Sequence, residues 1–247
     1  MIAEVVPAEV RAREAFDDDG AVTLFATEQA VVEGVLDERR KEFTTVRGCA
    51  RAALTALGVD PAPLVPGPLG APGWPTGVVG SMTHCRNYRA AAVALTKDFA
   101  ALGIDAEPRE PLSPFMAERI VTDIEASWLR QDFPSAAGLP LDRLLFCAKE
   151  ASYKALSPWT GTRFGFRGFT VRLRPDGTFL AVPPTPETPI SSRGPAGFTG
   201  RWAARSGLLL CVVALSASYA SSDLLNDLAS KAGKNWDNQE QAIRRNW

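Results

Sequence analysis

The chain has 247 residues, of which 46% are hydrophobic and 22% are charged, a composition typical of a folded globular protein. Its formal net charge of -1 provides no bulk positive field for nucleic acid, so any anion must be bound by local basic residues. The four cysteines lie far apart and form no C-x-x-C pair, which argues against a structural zinc site and a disulfide framework.

The first half of the chain is predicted to contain helices followed by strands. Apolar residues at helical spacing predict one or two helices over residues 28–57, ending at Gly58. Residues 61–75 are rich in proline and glycine and predict a shaped loop. Strands are predicted at residues 78–79, 90–95 and 99–104, the last two forming an antiparallel hairpin with a turn near residues 97–98.

The second half repeats this order loosely. Helices are predicted at residues 116–129 and 141–156, the second ended by Pro158. Strands follow at residues 169–173, 179–182 and 208–215, with a turn at residues 175–177. The run at 208–215 is the longest apolar run and is too short to cross a bilayer, and the N-terminus lacks the pattern of a signal peptide. We therefore expect a cytoplasmic protein that binds no membrane.

Helices followed by strands, occurring twice, predict two similar subdomains with an active site in the cleft between them. The N-terminal subdomain is placed at residues 1–107 and the C-terminal subdomain at residues 108–220. Residues 221–247 form a polar tail with too few apolar side chains for a core, so we expect it to be dispensable for catalysis. The alternative is that Trp236 and Trp247 dock on the body or on a partner.

The first candidate site is a pair of acids in the segment Gly103-Ile104-Asp105-Ala106-Glu107-Pro108. A strand period of two puts Asp105 and Glu107 on the same face. Such a pair can hold Mg²⁺ together with waters and a phosphate oxygen of a substrate. On the spacing alone, the alternative is a solvated strand end that carries two acids.

Two further segments contain candidate residues. Glu150 and Lys154 lie four residues apart on one face of the predicted helix at 141–156, where the alternative is an intrahelical ion pair worth a few tenths of a kcal/mol. The only histidine, His84, follows a glycine- and proline-rich approach in Gly80-Ser81-Met82-Thr83-His84-Cys85. A lone histidine is more often structural, and it excludes a site built on two histidines.

Taken together, these segments resemble the three signature blocks of the 4′-phosphopantetheinyl transferase superfamily. The similarity is to its surfactin-synthetase-activating (Sfp-like) branch and the enterobactin-pathway relatives. It extends over about residues 36–215. In the order that the family has them, the blocks are Trp74-Pro75-x-Gly77-x-x-Gly80-Ser81-x-Thr83-His84-Cys85, Gly103-Ile104-Asp105-Ala106-Glu107-Pro108 and Phe146-Cys147-Ala148-Lys149-Glu150-Ala151-x-Tyr153-Lys154-Ala155.

The resemblance implies an enzyme of α+β fold, with helices packed on a small antiparallel sheet in each of two pseudosymmetric subdomains and coenzyme A bound in the cleft between them. It would transfer the 4′-phosphopantetheine arm to a serine of acyl- or peptidyl-carrier proteins of polyketide, nonribosomal-peptide or fatty-acid synthesis and release 3′,5′-ADP. By the same resemblance, Asp105, Glu107 and Glu150 are expected to bind Mg²⁺. Lys149 and Lys154 are expected to face the phosphates or the departing oxygen, and Asp105, Glu150 and Lys154 to be the catalytic residues. A monomer that accepts several carriers is expected.

Phosphate-binding residues are also implied by the resemblance. Arg39 and Arg47 match the family's basic helix for the nucleotide 3′-phosphate, a task that suits the planar, forked guanidinium group. Thr83 and His84 are expected to contact a phosphate of coenzyme A. Pro66 stands where relatives often carry a lysine, which removes one such contact.

The sequence leaves the proton route and two other function classes open. Glu150 would take the serine proton directly or through water, and Lys154 would stabilise or protonate the leaving group. One alternative is a divalent-metal phosphodiesterase or pyrophosphatase that hydrolyses coenzyme A without an acceptor, and the other is a non-catalytic binding module. Both are disfavoured because the three expected ligands and Lys154 are all present. The chain contains no G-x-S-x-G, Walker-type or G-x-G-x-x-G motif.

A carrier-docking surface is expected on the helix after the second signature block. Phe115, Met116 and Ile120 would give apolar contact, and Arg119 would pair with an acidic carrier helix. Helical spacing equally allows Met116, Ile120 and Ile124 to lie in the core.

Overall fold

The computed structural model describes residues 1–18, 22–67, 69–135, 138–161, 163–183 and 197–218. This part of the chain forms the predicted α+β fold, with helices and two small antiparallel sheets. No helix in the described ranges combines the length and the apolar character needed to cross a membrane. The predicted tail at residues 221–247 lies outside the described residues.

The helices and strands follow one another in two groups, as the sequence predicts. A short 3₁₀ turn at Ile2–Glu4 precedes β1. In chain order the elements are β1 (Arg11–Ala15), α1 (Ala26–Val31), α2 (Asp37–Leu57), β2 (Val78–Cys85), β3 (Tyr88–Leu95), β4 (Phe99–Pro108), α3 (Pro114–Ile120), α4 (Asp123–Asp132), α5 (Leu141–Thr160), β5 (Thr170–Leu173), β6 (Thr178–Val182), β7 (Phe198–Arg205) and β8 (Leu208–Ser216).

Three helix ends illustrate how local chemistry sets the boundaries. Helix α2 ends at Gly58, which adopts the left-handed conformation with φ 81°, as predicted. The single helix predicted at 116–129 is wrong, because Thr122 caps the N-terminus of α4 by accepting a hydrogen bond from the Glu125 amide and so separates α3 from α4. The prediction that Pro158 ends α5 is also wrong. The helix continues to Thr160, and Gly161 provides the left-handed end with φ 66°.

The strands form a three-stranded sheet, in the order β1-β3-β2, and a five-stranded sheet, in the order β4-β8-β7-β6-β5. The predicted hairpin between the strands at 90–95 and 99–104 is therefore wrong. Strand β3 has β1 on one edge and β2 on the other, so it has no free edge for β4. The hairpin of this region joins β2 to β3 instead, and its turn contains Asn87 with φ 58°.

Strand β4 pairs with β8 and connects the two halves of the chain. On the edge of β4 that faces β2, two hydroxyl groups replace a strand partner. Ser81 Oγ accepts a hydrogen bond from the Ile104 amide at 3.0 Å, and Thr83 Oγ1 accepts one from the Ala106 amide at 3.1 Å. The division of the subdomains at residues 107/108 stays a prediction, but β4 lies in the sheet of the second half.

Helix α5 packs closely against one face of β4. A Cβ atom at Gly103 would lie 2.1 Å from the Ala151 carbonyl oxygen and 2.6 Å from the Ala155 amide, so only glycine allows this approach. Side chains alternate along β4, and Asp105 and Glu107 therefore face α5 together with Gly103. Leu102, Ile104 and Ala106 on the other face belong to the core beneath the three-stranded sheet.

Candidate active site

A cavity of about 870 Å³ lies between α2, the loop that precedes β2, strand β2 and helix α5. It is lined by Arg39 and Arg47 from α2, His84 from β2, and Glu150 and Lys154 from α5. The volume is in the range of about 300–1,000 Å³ that is usual for ligand pockets. Five of the residues that the sequence predicts for the site thus surround one space.

The loop that forms one wall of the cavity is packed on β2 through Trp74. A Cβ atom at Gly80 would lie 2.7 Å from the Trp74 ring, so the glycine allows the indole to lie against the strand. Pro66 also lines the cavity.

Arg47 both lines the cavity and holds this loop. Its Nε and Nη2 atoms donate hydrogen bonds to the Leu64 carbonyl at 3.3 and 3.2 Å, and its guanidinium lies 3.4 Å from the Phe43 ring centroid. Burial lowers the pKa of Arg47 to about 10, so the residue still carries its charge at neutral pH. Arg39 differs, because its side chain is 46% exposed and forms an ion pair with Glu42 at 3.0 Å.

His84 lies in the cavity, and its pKa depends on burial and on the charged side chains around it. Its Nε2 contacts Arg39 Nη1 and lies 3.5 Å from Glu42 Oε2. Burial and the positive charges of four residues together lower the pKa of His84 to about 3; these residues are Arg39, Lys154, Arg89 and Arg47. The imidazole is therefore neutral, and the field that disfavours its protonation favours a bound anion.

Asp105 contacts Lys154, which lines the cavity, and the two oxygen atoms of its carboxylate have different surroundings. Its Oδ1 accepts hydrogen bonds from Lys154 Nζ at 2.6 Å and from Thr83 Oγ1 at 3.1 Å. Its Oδ2 is buried and has no hydrogen-bond partner among the described residues. Burial alone would lower the pKa of Lys154, but the carboxylates of Asp105 and Glu150 outweigh this effect and raise it above the ordinary value. Lys154 is therefore a persistent cation.

Glu107 lies on the same face of β4 and accepts a hydrogen bond from Arg143 Nη1 at 2.8 Å. Burial and the charge of Asp105 raise the pKa of Glu107, although Arg143 acts in the opposite direction. In the described ranges, no three His, Cys, Asp or Glu side chains are grouped as a metal centre. The carboxylates of Asp105 and Glu107 nevertheless fit Mg²⁺, because both are hard oxygen donors and Asp105 Oδ2 has no protein partner there.

Two residues predicted to contact phosphate do not line the cavity. Lys149 is 2% exposed, and its Nζ donates to Glu125 Oε2 at 2.9 Å and to the Ile120 carbonyl at 2.6 Å, so it faces α3 and α4. Thr83 is also 2% exposed, and its hydroxyl is engaged with Asp105 and the Ala106 amide. The structure assigns both side chains to internal contacts.

Sequence reasoning missed Arg143, the ion-pair partner of Glu107. The sequence contains a pattern that could have identified it, because Arg143 and Lys154 are eleven residues apart, or about three helical turns. This spacing puts both side chains on one face of α5. That face meets the two acids of β4, and each acid receives one cation.

Comparison with known proteins gives the family. Residues 27–94 match the model of the 4′-phosphopantetheinyl transferase N-terminal domain, and residues 101–194 match that of the 4′-phosphopantetheinyl transferase superfamily. Together these two matches include α2, α5, most of β4 and most of the residues that line the cavity. The chain therefore belongs to the 4′-phosphopantetheinyl transferase superfamily.

Individual relatives support the same family. The chain is 43% identical over 238 residues to the 4′-phosphopantetheinyl transferase Svp of Streptomyces mobaraensis, an alignment that covers 95% of this chain and 96% of the relative. It is 38% identical to Npt of Nocardia iowensis, over 87% of this chain and 99% of the relative. It is 37% identical to PptT of Mycobacterium tuberculosis, over 87% and 98%. Both proteins carry the same family name, and all three fit the Sfp-like branch.

Proposed function

We propose that this protein transfers the 4′-phosphopantetheine arm of coenzyme A to a serine of acyl- or peptidyl-carrier proteins and releases 3′,5′-ADP. The observation that carries the proposal is the cavity of about 870 Å³. It presents cationic side chains of α2 and the Glu150–Lys154 pair of α5 to one space. Membership of the superfamily supports the same reaction.

Substrate binding is assigned to the cationic part of the cavity. Arg39 and Arg47 would bind the 3′-phosphate of coenzyme A, and neutral His84 would add a hydrogen bond. Arg39 is the more accessible of the two arginines, whereas Arg47 also fixes the position of Leu64. Charge-assisted hydrogen bonds of this type are worth about 1.5–3 kcal/mol each.

The transfer step is assigned to Glu150 and Lys154. The serine oxygen would attack the phosphorus while Glu150 accepts the serine proton, and Lys154 would donate a hydrogen bond to the departing oxygen of 3′,5′-ADP. The persistent positive charge of Lys154 supports its role as a donor. Asp105, Glu107 and Glu150 would hold Mg²⁺, which when bound supplies charge neutralisation at the pyrophosphate.

The proposed carrier-docking surface consists of Phe115 and Arg119 on α3. Phe115 is 60% exposed, and the guanidinium of Arg119 lies 4.5 Å from its ring centroid. Ile120 was included in the expected surface but is fully buried, so the alternative of a core position is correct for this residue. Met116 packs partly against the same small core, whereas Ile124 on α4 is 49% exposed, so the core alternative is wrong for Ile124.

A cytoplasmic monomer that binds coenzyme A and carrier proteins, and no nucleic acid, completes the proposal. The formal net charge of -1 supports the exclusion of nucleic acid, because the chain has no bulk positive field to attract it.

Intact-mass spectrometry of an apo carrier protein tests the proposed reaction. We expect the carrier to gain the mass of one phosphopantetheine after incubation with this protein, coenzyme A and Mg²⁺. A carrier whose acceptor serine is replaced by alanine is the control and should stay unmodified. Hydrolysis of coenzyme A without modification would indicate a phosphodiesterase instead, and binding without either reaction would indicate a non-catalytic module.

A further inference from the structure

The hydroxyl group of Thr83 is fully engaged inside the protein. It donates a hydrogen bond to Asp105 Oδ1 at 3.1 Å and accepts one from the Ala106 amide at 3.1 Å. Its second acceptor position faces Lys154 Nζ at 3.4 Å. A hydroxyl has one hydrogen to donate and two lone pairs, so Thr83 has no capacity left for a phosphate.

The consequence for Asp105 is an asymmetry between its two oxygen atoms. Oδ1 receives both Thr83 and Lys154, whereas Oδ2 is buried without a hydrogen-bond partner in the described ranges. A buried carboxylate oxygen without a partner is costly, so the arrangement suits a cation at Oδ2.

Ser81 provides an internal comparison. Its hydroxyl accepts a hydrogen bond from the Ile104 amide at 3.0 Å, in the same way that Thr83 accepts one from Ala106. Both residues therefore satisfy the free edge of β4, but only Thr83 also contacts an acid and a lysine.

We propose that Thr83 is a positioning residue that holds Oδ1 of Asp105 and thereby presents Oδ2 to the divalent cation. The inference rests on the proposed function only in that Asp105 binds Mg²⁺. It assigns Thr83 to the orientation of a carboxylate, and not to a contact with coenzyme A.

The test compares Thr83→Val and Thr83→Ser with the wild-type full-length protein. Binding of Mn²⁺ in the presence of coenzyme A is measured by electron paramagnetic resonance, and binding of coenzyme A without metal by calorimetry. We expect Thr83→Val to weaken Mn²⁺ binding by about 10- to 100-fold, the usual effect of removing a partner of a metal ligand. Coenzyme A binding without metal should be unchanged, and Thr83→Ser should bind Mn²⁺ like the wild type.

Ser81→Ala is the control for the loss of a hydroxyl on β4. Its midpoint of thermal unfolding should fall as that of Thr83→Val does, because each variant leaves one buried amide without a partner. The loss of Mn²⁺ affinity should be at least tenfold larger in Thr83→Val than in Ser81→Ala. Equal losses in the two variants would overturn the proposal, since they would reflect only the strand edge.

Three further results would overturn the proposal. These are wild-type Mn²⁺ affinity in Thr83→Val, weakened coenzyme A binding without metal in that variant, and a loss of Mn²⁺ affinity in Thr83→Ser. If Thr83→Val does not fold, the Mn²⁺ affinity of Thr83→Ser decides the question. This variant retains the hydroxyl group, so the proposal requires it to bind Mn²⁺ like the wild type. No carrier is used in these measurements, so a failure of arm transfer by the wild type would be recognised separately.

Discussion

His84 is the only histidine of the chain, and its ring can therefore be observed selectively by proton NMR. Burial and neighbouring cations lower its pKa to about 3. We expect the ring signals of the folded protein to show no titration between pH 5 and 8. In urea the same signals should titrate near the unperturbed value of about 6.5. A folded-state midpoint above pH 6 would show that the cavity lacks the positive field inferred from its arginines and Lys154.

The lowered pKa of His84 also makes the stability of the folded protein depend on pH. Because the pKa of His84 is lower in the folded than in the unfolded state, the unfolded state binds more protons between about pH 3 and 6.5. The contribution of His84 to stability is therefore complete above pH 6.5 and is lost as the pH falls through that range. Comparison of the wild type with His84→Asn by denaturant unfolding isolates this contribution.

Glu150 carries two proposed roles, as a ligand of the metal and as the base. Glu150→Gln keeps the shape of the side chain but removes its charge and basicity, so we expect kcat to fall by at least about 100-fold, within the range for general base catalysis. Single-turnover transfer with saturating Mg²⁺ and carrier measures this effect. A rate near that of the wild type would remove Glu150 from both roles while leaving the family assignment intact.

The two arginines of the cavity should behave differently. Arg39→Ala should raise the KM for coenzyme A by about 10-fold or more and should hardly change the KM for 3′-dephospho-coenzyme A, because it removes one charge-assisted contact. Arg47→Ala should impair both substrates, since Arg47 also holds the Leu64 carbonyl and stacks on Phe43. Steady-state kinetics with the two substrates distinguishes the cases. Equal damage to both by Arg39→Ala would place its contact away from the 3′-phosphate.

At the scale of elements, Glu125 connects α4, α5 and β5. It is fully buried and accepts hydrogen bonds from Thr122 of the α4 cap, from Lys149 of α5 at 2.9 Å and from the Val171 amide of β5 at 2.8 Å. Lys149 also binds the Ile120 carbonyl at the end of α3. The ion pair of Lys149 with Glu125 therefore holds α4 against the helix that carries Glu150, and the hydrogen bond from Lys149 to Ile120 holds the end of α3 against the same helix.

Removal of Lys149 should consequently reduce stability more than coenzyme A binding. We expect Lys149→Met to lower the free energy of unfolding by about 3–5 kcal/mol, because the charge of Glu125 would remain buried without its partner. Urea unfolding measures this loss. The control is Lys149→Met combined with Glu125→Gln, which removes both charges and should be more stable than the single variant. A large rise in coenzyme A KM with unchanged stability would return Lys149 to the phosphate-binding set.

The elements that the sequence predicted well are those with a strong local signal. Helix α2 has regular apolar spacing and a glycine at its end, the predicted strands at β6 and β8 contain continuous apolar runs, and β5 alternates between apolar and polar residues. Strand β1 was missed because Arg11, Arg13 and Glu14 give it a polar composition, and β7 because Gly200 and Arg201 interrupt its pattern. The pairing of β4 with β8 depends on residues about a hundred positions apart, which local patterns do not report.

For the candidate site, the family signature predicted a set of residues but not which way each side chain faces. Arg39, Arg47, His84, Glu150 and Lys154 line the cavity. Lys149 is adjacent to Glu150, yet one residue turns a helix by about 100°, and this directs Lys149 to Glu125. The internal role of Thr83 required the position of Asp105 relative to β2, which comes from tertiary packing alone.

At the scale of the whole molecule, the surface formed by Phe115 and Arg119 lies on the element that Lys149 ties to α5. If this surface binds the acidic helix of a carrier, Arg119→Glu should raise the carrier KM at low salt and should have a smaller effect at high salt, where charges are screened. Coenzyme A KM is the internal control and should not change. An unchanged carrier KM in low salt would show that carriers dock elsewhere.

The pairing of β4 with β8 also determines when the site can form during synthesis. The register joins Pro108 to Leu208, so the ribosome must add about a hundred residues after β4 before its sheet partner exists. At 5–20 residues per second, this takes about 5–20 s. During that interval β4 has no partner on the edge that later pairs with β8, and only its other edge can be satisfied, by the Ser81 and Thr83 hydroxyl groups. In a newly made chain, β4 therefore acquires its sheet partner only when translation has passed residues 208–216.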